Sequence, residues 1–304
     1  MSRRANEGRP QAARKAMNPE ETDRLSVYEY DRQSNYEQDT RLTAALDALV
    51  PEADLVHPDQ RLFQTLHLIT EYSWCEMHFE MRRAVVMLGE GDYLLAAQLL
   101  ERAAAVGALP VRALQIMLGF LPQHSLLAMR ETFPVNTTGL DSPGARNLRR
   151  VAMVLWQALT DALAAEKLTI NQVIAQHGRT DPVAERDRTA AELAMVRQAM
   201  LTLDGAVVDW KQIHVRLVWT QLGGHPATSE REAQARAAAR TAAADAAAEA
   251  DGDDATACPV LPTSLSGQSI RNLRQMAERS LFPQIWDSVD ETYQTFVPVG
   301  GTSW

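Results

Sequence analysis

The stretch that decides the fold is VVDWKQIHVRLVWTQLGG, residues 207–224. Its apolar residues recur at intervals of three and four, which is the spacing of residues on one face of an α-helix. That face is apolar apart from one imidazole and one amide, and its members are Val207, Trp210, His214, Leu217 and Gln221. The stretch therefore predicts a helix whose apolar face carries a single histidine.

His214 has two interpretations on this local pattern. A histidine on an apolar helical face is commonly a core residue that hydrogen-bonds within the protein. The same placement also suits an axial ligand, because a neutral ring nitrogen can bind haem iron while apolar neighbours cover the porphyrin. The periodicity by itself leaves both interpretations open.

The sequence on either side of this stretch also has patterns typical of helices. Strand-like alternation does not persist anywhere, so we predict an all-α fold. The predicted helices include a long one over 185–222 and another over 59–88, the latter ended by Gly89 and Gly91. Further helices are expected over 93–106 and 111–120, separated by GALP, over 145–165, and within 261–286, where Pro283 closes the last helix.

Composition divides the chain into three kinds of segment. Residues 1–35 are polar and charged, which is typical of a mobile N-terminal arm. Residues 230–257 are alanine with interspersed charge, and so few bulky apolar side chains cannot anchor a helix to a core. We interpret this tract as a solvent-exposed insertion. Residues 36–229 and 258–304 are predicted to form a single helical domain.

The composition argues against several classes of protein. Net charge is -9, so the chain lacks the basic footprint of a nucleic-acid-binding protein. No apolar run approaches the about 18 residues of a membrane span, and no signal-peptide core follows the N-terminal arginines. Cys75 and Cys258 belong to no CxxC pattern, which argues against a disulfide framework or a cysteine-rich zinc site. We expect a cytoplasmic protein that binds neither nucleic acid nor a membrane.

Four sequence blocks occur in an order and at a spacing that resemble a known enzyme family. They are LFQTLHLITE at 62–71, AMRETFPVNTTGLDS at 128–142, WKQIHVRLVWTQLGG at 210–224 and SLFPQIW at 280–286. Together they resemble the tryptophan 2,3-dioxygenase superfamily of haem enzymes, which also includes haem-dependent monooxygenases of aromatic amino acids. The resemblance covers residues 36–286 apart from the alanine tract. It implies that the helical domain is a haem-binding catalytic domain.

On this resemblance the cofactor is haem b and His214 is its proximal ligand. Trp210 and Leu217, one turn to either side on the predicted helix, would pack beneath the macrocycle. The opposite axial position of the iron would be left for dioxygen.

The first two blocks would supply the substrate side. His67 matches the distal histidine that contacts the indole N–H in the family, and Phe63 matches an aromatic residue that stacks against the substrate ring. Arg130 matches the arginine that holds the substrate carboxylate, for which a planar guanidinium is well shaped. The substrate would therefore be an aromatic amino acid, and dioxygen would be the second reactant.

Tyr36 matches an N-terminal tyrosine that the family donates to the active site of an adjacent subunit. The resemblance thus implies a homo-oligomer, a dimer or tetramer, in which the N-terminal arm is exchanged. Thr263 and Ser264 in PTSLSG are the nearest counterpart of a glycine- and threonine-rich loop that closes over the amino acid in the family. Two departures lie on the substrate side. The alanine tract separates this loop from the proximal helix, and Leu126 stands where the family has an aromatic residue.

The expected function is a haem-dependent oxygenase of L-tryptophan or a modified tryptophan. Its reaction would open the indole C2–C3 bond with dioxygen and give N-formylkynurenine. The closest alternative is a monooxygenase that forms an oxindole or hydroxylates a tryptophan- or tyrosine-type amino acid in secondary metabolism. The second alternative is a non-catalytic haem-binding protein, and the third is a helical protein without haem.

Overall fold

The structure is a computed structural model that describes residues 34–130, 142–177, 181–223 and 277–296, together with positions 17, 24–26, 28, 225 and 227. Within these residues all regular secondary structure is helical, which confirms the all-α class. The predicted arm, 1–35, lies mostly outside the described residues. The alanine tract, 230–257, lies wholly outside them.

The α-helices account for most of the described chain. In order they are α1 Asn35–Thr40, α2 Leu42–Leu46, α3 Gln60–Glu90, α4 Tyr93–Phe120, α5 Gln123–Arg130, α6 Pro143–Ala165, α7 Ile170–Ile174, α8 Arg188–Leu222 and α9 Pro283–Phe296. Short 3-10 segments occur at Arg24–Ser26, Glu52–Asp54 and Glu185–Asp187.

The chain divides into two compact units. The first comprises Met1–Leu68 and Gly119–Phe133, and the second comprises Ile69–Leu118 and Pro134–Trp304. In the first unit, side chains of α3 hold the preceding loop by hydrogen bonds to its backbone. The Gln64 side-chain oxygen accepts from the Val50 N–H at 3.0 Å, and Arg61 donates to the Val50 carbonyl at 2.6 Å.

The second unit is built around one hydrophobic core. Helices α3, α4, α6, α7 and α8 contribute to it, and so do residues at the start of α9. The burial of apolar side chains from all of these elements supplies the main favourable term in folding the unit. Fully buried members of this core include Met77, Met81, Leu100, Leu155, Leu203 and Phe282.

The start of α6 is held by a double cap. Ser142 is the N-cap residue, and its hydroxyl oxygen accepts from the Ala145 N–H at 3.1 Å. The same hydroxyl donates to the carboxylate of Glu71 on α3, which also accepts from the Gly144 N–H at 3.1 Å. A carboxylate at a helix N-terminus is favoured by the helix dipole. Glu71 thus ties α3 to the first turn of α6.

Helix α4 corrects one sequence expectation. GALP was predicted to separate two helices, but the structure has one continuous helix with Pro110 inside it. Proline removes one intrahelical hydrogen bond and usually bends a helix. Here Gly107 lies against Met77 and Ala206, and a β-carbon on it would stand 3.1 Å from the Ala206 β-carbon. Burial of this segment in the core, with Pro110 itself buried, outweighs the local break.

Pro283 provides a second correction. The helix that it was expected to close, within 261–286, lies mostly outside the described residues, and Pro283 is the first residue of a further helix, α9. The first turn of a helix leaves its N–H groups without intrahelical partners, so a residue that lacks an N–H and has a fixed φ is suited to that position. The other predicted helix boundaries lie closer to the observed ones. Helix α3 ends at Glu90, before Gly91, which has φ 79°. Helix α8 continues through Gly205 to Leu222.

Helix α4 is long and apolar enough to cross a membrane by length and composition alone. Core helices of soluble proteins pass the same test. In this structure one face of α4 is buried in the core of the second unit, including Tyr93, Ala97 and Leu100.

Gly144 offers a direct test of the contact between α3 and α6. A β-carbon at this position would lie 2.5 Å from the Trp74 β-carbon and 2.8 Å from a Glu71 carboxylate oxygen. Because the β-carbon of Trp74 is held rigidly by its helix, we expect Gly144→Ala to lower the free energy of unfolding by about 1–3 kcal/mol in urea denaturation.

Gly205→Ala is the matched control for this experiment. Gly205 lies inside α8, and a β-carbon added to it would meet no neighbouring side chain or segment within 4 Å. Alanine should therefore raise the free energy of unfolding by about 0.5–1 kcal/mol, because it favours the helix over the unfolded chain. Equal stability changes in the two variants would contradict the close approach of α3 and α6.

Candidate functional site

A partly open cavity of about 330 Å³ in the second unit contains the histidine that the sequence singles out. This volume is near the lower end of the about 300–1,000 Å³ typical of small-molecule sites. His214 and Trp210 of α8 form part of its wall. Most of the remaining wall is apolar and includes Trp74, Leu148, Val207, Val215 and Leu281.

Segments that are distant in sequence meet at this cavity. Trp74 lies three residues after the first sequence block, and Ala145 lies three residues after the second. His214 belongs to the third block, and Leu281 belongs to the fourth. The cavity is therefore formed by chain segments within or directly after all four blocks.

Three aromatic rings follow one another along the cavity wall. The rings of Trp74 and Trp210 meet edge to face, with centroids 5.3 Å apart and planes at 86°. Trp210 stacks on the imidazole of His214, with centroids 5.3 Å apart and planes at 18°. Both arrangements are favourable for aromatic pairs. Trp210 thus orients the His214 ring directly, whereas Leu217, which is half-buried, is not part of the cavity wall.

Two buried hydrogen-bond donors of residues in this wall have no acceptor within the described part of the chain. The indole N–H groups of Trp74 and Trp210 are shielded from solvent and have no partner among the residues that the structure describes. A buried donor without an acceptor costs about 1–3 kcal/mol. Both residues line the cavity, but the two indole nitrogens have almost no accessible surface there.

The polar part of the wall is cationic. Arg149, Lys211 and Arg279 line the cavity, and no Asp or Glu is present among the described residues of its wall. Burial lowers the pKa of Lys211, and the positive charges of Arg149 and Arg279 lower it further, while the Asp204 carboxylate acts in the opposite direction. The Lys211 ammonium donates a hydrogen bond to the Arg279 carbonyl, which links α8 to the segment before α9.

Asp204 holds that segment in place. Its side chain is completely buried, and its two oxygens accept from the Leu281 N–H and from the Trp286 indole N–H, each at 2.6 Å. Such bonds to a charged acceptor are stronger than those between neutral groups. Asp204 therefore fixes the wall of the cavity that carries Arg279 and Leu281.

Asp204 and the three cations were not predicted from the sequence. Asp204 left one signal, because it is a lone acidic residue among the apolar residues of LTLDGAVV. Arg149, Lys211 and Arg279 left no comparable signal, since isolated basic residues are ordinary on helix surfaces. Their grouping depends on the packing of three separate segments.

The first unit contains the distal residues that the sequence predicts. Phe63 and His67 lie one turn apart on α3, with ring centroids 4.1 Å apart and planes at 41°. The Nδ1 atom of His67 is 2.8 Å from the Phe63 carbonyl oxygen. A carbonyl only accepts, so Nδ1 carries the proton, and in the neutral ring Nε2 is the acceptor nitrogen.

The remaining predicted substrate residues are only partly described. Arg130 is the last residue of α5 and is half-buried, and Tyr36 in α1 has 71% of its surface exposed. Thr263 and Ser264 lie outside the described residues. Among the predicted site residues that the structure describes, Phe63 thus contacts His67, and Trp210 contacts His214.

The chemistry of the cavity fits haem b. Among the described residues, no group of three or more His, Cys, Asp or Glu could hold a metal ion. Haem needs no such group, because the porphyrin supplies four nitrogens and the protein needs to supply one axial ligand. His214 provides an imidazole in a mostly apolar wall. The cavity of about 330 Å³ is smaller than a porphyrin, so it would enclose only part of the macrocycle.

No protein-family model matches the sequence, and no curated protein matches it. The function therefore has to be inferred from the four sequence blocks and from the chemistry of the residues around His214.

Proposed function

We propose that the protein is a haem-dependent oxygenase that acts on L-tryptophan or a modified tryptophan. The observation that carries the proposal is the position of His214, an imidazole in the wall of a mostly apolar cavity. Residues of the third and fourth sequence blocks line this cavity, and residues that follow the first two blocks also line it, which supports the same assignment.

In this proposal the imidazole of His214 would hold the iron of haem b. Stacking of Trp210 would hold the imidazole in a fixed orientation, as outer contacts do for metal-binding histidines. Leu148, Val207 and Leu281 would exclude water from the bound macrocycle. Haem b, when bound, supplies an iron that binds dioxygen and exchanges electrons with it.

Arg130, Phe63 and His67 are the residues proposed to bind the substrate. The guanidinium of Arg130 would bind the substrate carboxylate through two parallel hydrogen bonds. Phe63 would contact the indole ring, and Nε2 of His67, the acceptor nitrogen of the ring, would accept the indole N–H. Positioning two reactants in this way accounts for a large part of the rate in such sites.

Two further parts of the proposal concern residues at the edge of the site. Tyr36 would be donated to the site of an adjacent subunit in a homodimer or homotetramer, and its exposed side chain supports this role. The hydroxyls of Thr263 and Ser264 would bind the ammonium or carboxylate group of the amino acid.

Haem binding is tested by reconstitution of the full chain with hemin. We expect a Soret band for the wild type and its loss, or a binding affinity at least about tenfold lower, in His214→Ala, because the axial nitrogen is removed. His177→Ala is the control, since His177 is exposed and lies outside the cavity wall. Equal hemin spectra for all three proteins would exclude His214 as the ligand.

The role of Arg130 is tested by substrate binding to the haem-loaded protein. We expect Arg130→Ala to keep its Soret band and to bind L-tryptophan about tenfold more weakly or worse, because a charge-assisted pair is lost. Arg130→Lys should recover only part of the affinity, since an ammonium lacks the planar fork. Arg112→Ala, at an exposed arginine of α4, should change nothing. Unchanged tryptophan affinity in Arg130→Ala would remove this residue from the site.

The type of oxygenation is tested with ¹⁸O₂. Both oxygen atoms would add to the indole carbons while the C2–C3 bond breaks, so no external reductant is consumed. Mass spectrometry of the product should show two labels and the mass of N-formylkynurenine. A product with one label would contradict the dioxygenase assignment and support a monooxygenase.

A further inference from the structure

We propose that Arg149, Lys211 and Arg279 form a carboxylate-binding end of the cavity and hold the propionate groups of haem b. This inference rests on the proposed function, because it assigns further residues to the same ligand. The three residues come from different parts of the second unit. Arg149 lies on α6, Lys211 lies on α8 one turn before His214, and Arg279 precedes α9.

The charged residues that line the cavity are basic. All three cations line the same cavity as His214, and the described part of the wall contains no carboxylate. The nearby acid, Asp204, has both oxygens bound to the Leu281 N–H and the Trp286 indole. The charged side chains of Asp, Glu, Lys and Arg in the described part of the wall are therefore all positive.

Lys211 is partly buried, whereas Arg149 and Arg279 are exposed. Burial and the charges of Arg149 and Arg279 lower the pKa of Lys211. A carboxylate at this end of the cavity would relieve the repulsion and favour the charged ammonium.

Apolar surface accompanies the cations. Trp74, Trp210, Leu148 and Val207 line the same cavity. The wall therefore combines apolar surface with cations. Its complement is an apolar molecule with carboxylate groups, and haem b is such a molecule.

The experiment compares hemin with its dimethyl ester, in which the two propionates are esterified and carry no charge. Soret titrations of the full chain should show that the wild type binds hemin about tenfold or more tightly than the ester. Raising the salt concentration should weaken hemin binding and leave ester binding nearly unchanged.

The double variant Arg149→Gln, Arg279→Gln should lose most of the preference for hemin over the ester. We expect it to bind hemin more weakly and to bind the ester as the wild type does. Both side chains are exposed, so the fold should persist, and circular dichroism will check it. Arg150→Gln is the matched control, because Arg150 is the exposed neighbour of Arg149 and does not line the cavity. Lys211→Met would be a less clean variant, since it also removes the bond to the Arg279 carbonyl.

The contrary outcomes are distinct. Equal affinity of the wild type for hemin and its ester, or an unchanged preference in the double variant, would overturn the carboxylate-binding role while haem binding stands. The absence of a Soret band with both compounds would overturn the proposed function and this inference together.

Discussion

A single buried carboxylate determines how the candidate site is closed. Asp204 lies in the core-facing part of α8, where an unpaired charge would cost several kcal/mol. Two hydrogen bonds, from the Leu281 N–H and the Trp286 indole, offset that cost. These donors are 77 and 82 positions away in sequence. These two bonds therefore hold Leu281 and Trp286, at the start of α9, against the helix that carries His214.

A second acid joins two other helices, α3 and α6. Glu71 on α3 accepts from the Ser142 hydroxyl and the Gly144 N–H, so it both caps α6 and joins it to α3. Gly144 permits this contact because its missing β-carbon leaves room for Trp74. Trp74 then contacts Trp210, and Trp210 stacks on His214. The orientation of the imidazole thus depends on a chain of contacts that begins at a helix cap.

The sequence patterns predict the helices well where periodicity and breakers agree. Helices α3, α6 and α8 have nearly their expected bounds, because their apolar spacing is sustained and glycine or proline marks their ends. The two errors both concern proline. Pro110 lies within α4, where packing of the buried helix outweighs one lost hydrogen bond, and Pro283 begins α9, where no N–H is needed. A proline pattern alone does not distinguish a residue that ends a helix from one that begins it or lies within it.

By itself the sequence determined that the protein is helical and that one imidazole lies on an apolar face of a long helix. Both are consequences of residue spacing over a few turns, which is a local property. Only the tertiary structure decided that this face borders a cavity, that Trp210 stacks on His214, and that three cations share the same wall. These features depend on side chains many tens of residues apart that are brought together by burial and by paired acids. No local periodicity encodes which distant donor an acid such as Asp204 will bind.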